Sequence, residues 1–299
     1  MKKTEDDFIM LPTVDFCFKE LMQNEKVRKG FISALLNCSP DDITQTVLMP
    51  TILGRDTPED KEGILDVRVA LEDGTQLDME MQVAYFAYWE KRILFYLGKM
   101  YTGQLKKGEP YEALKKCIHV SILDFVHFPE DSECYRVIHF RDEKSGKMYT
   151  DLMEIQILEL RKLLPVEVGR SGVIDWMQFF NGKSRKEFCD MAKKNEYLDE
   201  ACNTLMELSA DEKKRLEYEA RERALRDYNS QMNSARKLGM EQGRQEGLQE
   251  GLQEGRQEGR QEGVDLAKTV FKLFLQGKSP DEIAEISRIS EDEVRKILE

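Results

Sequence analysis

The chain is 299 residues long, 40% hydrophobic and 34% charged, which excludes an intrinsically disordered protein and leaves enough length for a sizeable core. No apolar run reaches the roughly 18 residues of a membrane-spanning helix, and residues 1–7 turn acidic where a signal peptide turns apolar, so a cytoplasmic protein with no membrane partner is expected. With 45 basic against 57 acidic residues the net charge is −12, which argues against nucleic-acid binding through a broad basic surface and confines any such function to a local site.

Taken in chain order, residues 15–37 read as two short helices, with Phe16, Phe18, Leu21 and Met22 on one apolar face and Phe31, Ile32, Leu35 and Leu36 on the next. Strand signals follow at 47–53. Residues 64–71 and 77–83 alternate with period two on either side of Glu72-Asp73-Gly74-Thr75, a hairpin signal. A helix is expected over 86–105, ending near Lys107-Gly108. The nearly continuous apolar run 117–125 predicts a strand buried on both faces, and 135–140 and 152–158 are further strands. The order gives an α/β or α+β sandwich.

From about residue 173 the pattern is helical, and Ser209-Ala210-Asp211-Glu212 reads as a capping box opening a highly charged helix that reaches about Leu238. Glycine then recurs every fourth residue from Gly239 to Gly263. Each glycine costs a helix about 1 kcal/mol relative to alanine, so 239–263 is either a connector or a helix whose small-residue ridge self-associates, making the chain a homo-oligomer. Residues 264–299 regain apolar periodicity. Capping boxes at Ser279-Pro280-Asp281-Glu282 and Ser290-Glu291-Asp292-Glu293 predict three short helices in a helix-turn-helix-like unit.

Cys17, Cys38, Cys117, Cys134, Cys189 and Cys202 form no Cys-x-x-Cys pair and read as reduced packing residues. His119, His127 and His139 fall in apolar stretches and read as core or edge histidines. There is no zinc motif and no phosphate-binding loop for a nucleoside triphosphate.

The hairpin carries the chemistry, because parity fixes its register. A three-residue loop Glu72-Asp73-Gly74 with Gly74 left-handed opposes Val69 with Leu77, Val67 with Met79 and Leu65 with Met81 on an apolar face. On the other face it opposes Arg68 with Asp78, Asp66 with Glu80 and Ile64 with Gln82. Opposed Cβ atoms lie about 4.5–5.5 Å apart, so Asp66 and Glu80 either repel or share a cation. Magnesium suits two carboxylates plus a substrate phosphate. The competing reading is a solvated sheet face neutralised by Arg68.

Asp66, then Glu80-Met81-Gln82 on the following strand, resembles the PD-(D/E)XK nuclease core in the variant where glutamine replaces lysine. Lys61-Glu62-Gly63-Ile64-Leu65-Asp66-Val67, Glu80-Met81-Gln82-Val83, Asp15-Phe16-Cys17-Phe18-Lys19 and the stretch 96–111 together resemble the PD-(D/E)XK nuclease family transposases, or recombination-promoting nucleases, over about residues 10–165. The glycine repeat resembles the tails of that family.

The resemblance implies an α/β fold with a restriction-endonuclease-like core, a mixed β-sheet flanked by helices, over 1–165; the all-helical extension at 166–238, the repeat at 239–263 and the unit at 264–299 follow it. It further implies a DNA endonuclease dependent on Mg2+ or another divalent cation such as Mn2+. Asp66 and Glu80 would be its metal ligands and Gln82 would hold the lysine position, able to orient water but not to supply charge. Lys61 or Lys19 would supply that charge, and Asp15 or Glu20 would complete the outer shell. Arg92, Tyr96 and Lys99 recur at helical spacing and fit either phosphate contacts or a packed amphipathic helix. Asp142 with Glu154-Ile155-Gln156 repeats the acid and Glu-x-Gln pattern but reads as a second hairpin with a solvated face. The alternative function is a catalytically weak scaffold that assembles through its C-terminal helices, favoured by Gln82 and the net charge.

Overall fold

The computed structural model describes residues 8–53, 61–164 and 172–299. Helices α1 (Asp15–Gln23) and α2 (Glu25–Leu36) are separated by Asn24, whose side chain accepts from the N–H groups of Lys26 and Val27 and so starts the second helix. Asn37 then ends α2 in the left-handed conformation, φ 51°, which asparagine tolerates. The expected apolar faces are buried, with Phe18, Leu21, Met22, Phe31 and Ile32 fully enclosed.

Strand β1 (Thr46–Met49) stops at Pro50. The short β2 (Ile52–Leu53) pairs with β3 (Gly63–Ile64), and β4 (Val67–Leu71) and β5 (Gln76–Gln82) form the hairpin. The six-stranded sheet runs β1-β4-β5-β6-β8-β7, where β6 is Cys117–Leu123, β7 Tyr135–Arg141 and β8 Met148–Glu159. The β5, β6 and β8 strands are parallel and the other neighbours antiparallel. Strand β6 lies between two parallel partners and every one of its seven residues is buried, the environment its apolar run predicts.

The hairpin has the register its parity predicts over Val67↔Met79, Arg68↔Asp78, Val69↔Leu77 and Ala70↔Gln76, closed by Gly74 at φ 88°. Three expected pairs, Ile64 with Gln82, Leu65 with Met81 and Asp66 with Glu80, lie outside the ladder and are corrected. Ile64 pairs with Ile52 rather than with Gln82, and Leu65 donates its N–H to Thr51 and packs with Leu53, Leu97 and Met100, on a different cluster from Met81. The chain leaves the ladder at Leu65–Asp66, so Asp66 stands in a bend just before β4.

Helix α3 (Trp89–Thr102) begins three residues later than expected and buries Trp89, Ile93, Leu97 and Met100 against one side of the sheet. The other side packs against α1, α2, α4 (Gly172–Asn181), α5 (Arg185–Ala192) and α6 (Glu196–Ala210). Phe179, Phe180, Phe188 and Leu205 join Phe18, Phe31 and Ile118 in one cluster. A Cβ at Gly30 would overlap Tyr197, so α2 and α6 approach closely there. The first compact unit therefore runs to Asp227, past the 1–165 extent expected for the core; the 165/166 boundary itself lies outside the described residues.

Helix α7 spans Glu212–Leu275, far beyond Leu238 and straight through the glycine repeat. Its cap is Asp211, which accepts from the Lys214 N–H, and not Ser209, whose hydroxyl is spent inside α6 on Leu205 and on the Met10 N–H. In the second unit, Tyr228–Glu299, the end of α7, α8 (Pro280–Ser287) and α9 (Glu291–Leu298) close around Val270, Ile283 and Val294, and both expected capping boxes are formed. Among the described residues no helix is long and apolar enough to cross a membrane.

Candidate active site

On β5, Asp78 and Glu80 point to the sheet side that α3 covers, and the parallel register sets them beside His119 and Ser121 of β6. The expected alternative of a solvated face is corrected: all four residues are buried, between 0% and 3% exposed. Asp78 Oδ2 lies 2.7 Å from His119 Nδ1, and His119 Nε2 lies 2.7 Å from Ser121 Oγ. Burial, reinforced by Asp66, pushes the Asp78 acid well above the carboxylate range, while burial pulls His119 down to about 4. Both shifts favour the uncharged forms of the two groups. Asp78 Oδ1 has no partner.

Glu80 accepts from Gln82 Nε2 at 3.2 Å and from Arg92 Nη2 at 3.4 Å. Burial first, then the Asp78 and Asp66 carboxyls, pushes its acid up to about 8. Asp66 reaches the same place from its bend. Its Oδ2 accepts from the N–H of Met81, the residue after Glu80, at 3.3 Å, and its Oδ1 pairs with Lys19 Nζ at 2.8 Å. Lys19 projects from α1, where Asp15 stands 3.7 Å behind it. Tyr96, one turn beyond Arg92 on α3, has its ring centre 5.9 Å from the guanidinium, and burial followed by Glu80 raises its hydroxyl pKa.

Of the residues singled out in the sequence, the structure thus gathers Asp66, Glu80, Gln82, Lys19, Arg92 and Tyr96, with Asp15 behind Lys19. Three fall elsewhere. Glu20, also on α1, bonds Lys214 at 2.7 Å and so is committed away from Asp66. Lys61 is exposed ahead of β3, and Lys99, two turns past Arg92, lies 5.9 Å from the Phe95 ring. The Asp142 repeat is a turn, Asp142 accepting from the Ser145 N–H. Its expected solvated face is corrected, because Glu154 and Gln156 are buried, Glu154 bonding Lys116 at 2.7 Å and His139 at 2.9 Å, and Gln156 donating to the Leu35 carbonyl.

Sequence reasoning missed Asp78, His119 and Ser121 as members of the site. The signal was available: polar residues at alternating positions in two otherwise apolar strands, 78 and 80 in one, 119 and 121 in the other, share a face once the strands pair.

The donors at Asp66 and Glu80 are hard carboxylate oxygens, crowded by a third carboxyl and partly buried, a set that suits a small divalent cation. Among the described residues no group of three or more His, Cys, Asp or Glu side chains is arranged to hold a metal.

Comparison with curated proteins and with solved structures returns no match. The family model for PD-(D/E)XK nuclease family transposases matches residues 12–235.

Proposed function

Because the chain belongs to the PD-(D/E)XK nuclease family transposases, we propose that its nuclease-like domain is a metal-dependent endonuclease that hydrolyses DNA phosphodiester bonds at Asp66 and Glu80. The supporting observation is the convergence of these two carboxyls from the bend before β4 and from β5, close enough that Asp66 helps to raise the Glu80 acid. Asp66 and Glu80 would hold the cation. A bound Mg2+ or Mn2+ supplies Lewis acidity at the phosphoryl group and acidifies water.

The chain's own residues do the rest. Gln82, already bonded to Glu80, offers a carboxamide that both donates and accepts, suited to orienting a water for in-line attack. The positive charge that glutamine lacks is provided by Lys19 on Asp66 and Arg92 on Glu80, each free to transfer its hydrogen bonds to a phosphate oxygen once a cation neutralises the carboxylates. Asp15 keeps Lys19 aligned along α1.

Purified protein is expected to nick plasmid in magnesium or manganese and to stop in chelator. Asp66→Ala and Glu80→Ala are each expected to lose at least about 100-fold in rate; unchanged cutting by Asp66→Ala removes the mechanism. The two internal ion pairs favour, as a second reading, a nuclease-fold scaffold whose carboxylates stay closed by Lys19 and Arg92. Magnesium titration calorimetry separates the two: a site abolished by Glu80→Ala supports the nuclease, and no site supports the scaffold.

A further inference from the structure

The loop between β5 and α3 bears on the substrate, an inference that rests on the nuclease reading above. Residues 83–88 read Val-Ala-Tyr-Phe-Ala-Tyr, and Tyr85, Phe86 and Tyr88 are 60%, 42% and 61% exposed. A single exposed ring is ordinary, but a cluster of them beside buried carboxyls marks a contact surface. Each ring is held by an aromatic neighbour. Phe86 and Tyr88 meet edge to face with centroids 5.9 Å apart, and Tyr85 meets Phe125 edge to face at 5.9 Å. Beneath them Trp89 is buried against His127, ring centroids 4.4 Å apart.

Arg92 joins this loop to the carboxyl site. Its Nη2 contacts Glu80, its guanidinium lies 5.6 Å from the Phe86 ring centre, and its Nε is buried with no partner. The Lys91 ammonium stands 5.5 Å from the Tyr88 ring centre. Within 85–92 the cations are Lys91 and Arg92 and the one acid is Glu90, which lies 3.2 Å from His127; Arg92 is itself paired to Glu80.

We propose that Tyr85, Phe86 and Tyr88 form a stacking shelf for unpaired bases of a DNA strand whose phosphate meets Arg92 beside Glu80, so that the substrate is single-stranded or locally unpaired DNA. In an intact duplex the base faces cover one another and offer these rings nothing to stack on. Unpaired bases present a π-face whatever their sequence, and a cationic track beside aromatic rings is what a single strand requires. A protein partner would also cover exposed rings, but the continuity of these rings with Arg92 at the Glu80 site favours DNA.

The test compares full-length native protein with Tyr85→Ala/Phe86→Ala/Tyr88→Ala and with Tyr85→Phe/Tyr88→Phe. Fluorescence anisotropy in chelator reads binding of a labelled single-stranded DNA oligonucleotide and of the same sequence as a duplex. The native protein is expected to prefer the single strand, the triple alanine variant to lose that binding at least about tenfold with the duplex changed less than about twofold, and the phenylalanine variant to keep it. The inference is overturned if the native protein prefers the duplex, if the triple variant binds the single strand as the native protein does, or if it loses both equally.

Should the triple variant misfold, a single strand carrying 2-aminopurine reads the native protein directly: quenched emission on binding supports stacking, and unchanged emission overturns it. The underlying nuclease reading fails separately. Loss of shelf binding with Glu80-dependent cutting intact sinks only the shelf, whereas shelf binding without any cutting sinks only the nuclease.

Discussion

Glu80 is the residue on which the site's energetics turn, since burial and two neighbouring carboxyls hold its acid near 8. A carboxyl that binds its proton more tightly when folded loses stability as pH rises from its ordinary value near 4.5 through about 8, because over that window the unfolded chain has already released the proton. Glu80→Gln keeps the shape without the charge. Its unfolding free energy in chelator, read by urea denaturation, is therefore expected to exceed that of the native protein by a margin that widens between pH 5 and pH 8, reaching on the order of a few kcal/mol at the upper end. A margin that does not change with pH contradicts this. Next to it, His119→Leu leaves the buried Asp78 carboxyl without a partner on either oxygen and is expected to cost about 1–3 kcal/mol in urea denaturation. Adding Asp78→Leu is expected to cost less than the sum of the two single changes, because the orphaned group is then gone.

At the scale of elements, the glycine repeat gives an equally direct test. Nothing lies within 4 Å of a Cβ added at Gly247, Gly251 or Gly255, so replacing all three by alanine is expected to add helix stability of about 1 kcal/mol per site and to sharpen the 222 nm melting curve. Lost self-association in the same variant would mean that the ridge needs its glycines for close approach to a second chain. The hairpin was legible because period two and a left-handed Gly74 leave one register with a wholly apolar face. Its lower end was not, because Ile64, Leu65 and Asp66 continue the alternation, and only pairing with Ile52 across the chain pulls them off the ladder. Burial of the carboxyl face was equally hidden, since α3 follows β5 in sequence without revealing which side of the sheet it covers. On sequence Ser209 heads the capping box, whereas in the structure Asp211 accepts from the Lys214 N–H. The Ser209 hydroxyl is instead committed to the Leu205 carbonyl and the Met10 N–H, contacts that the local sequence does not reveal.

Taken whole, the chain comprises a compact unit to Asp227 and a second from Tyr228, with α7 running through both ranges. The helices after β8 looked like an appendage because their sequence shows no strand, yet Phe179, Phe180 and Phe188 complete the core around Phe18 and Phe31, and the family match likewise extends to residue 235. The proposal of a homo-oligomer built through α7 predicts that the full-length protein sediments as a multiple of 34.9 kDa and that deletion of 239–263 returns it to a single chain. An unchanged particle after deletion would make the repeat a spacer.

The most direct test is the anomalous difference map of a crystal soaked in manganese. A peak within about 2.0–2.3 Å of carboxylate oxygens of both Asp66 and Glu80, with Lys19 and Arg92 displaced from them, is predicted. No peak there, with Asp66 still paired to Lys19 and Glu80 to Arg92, would contradict it.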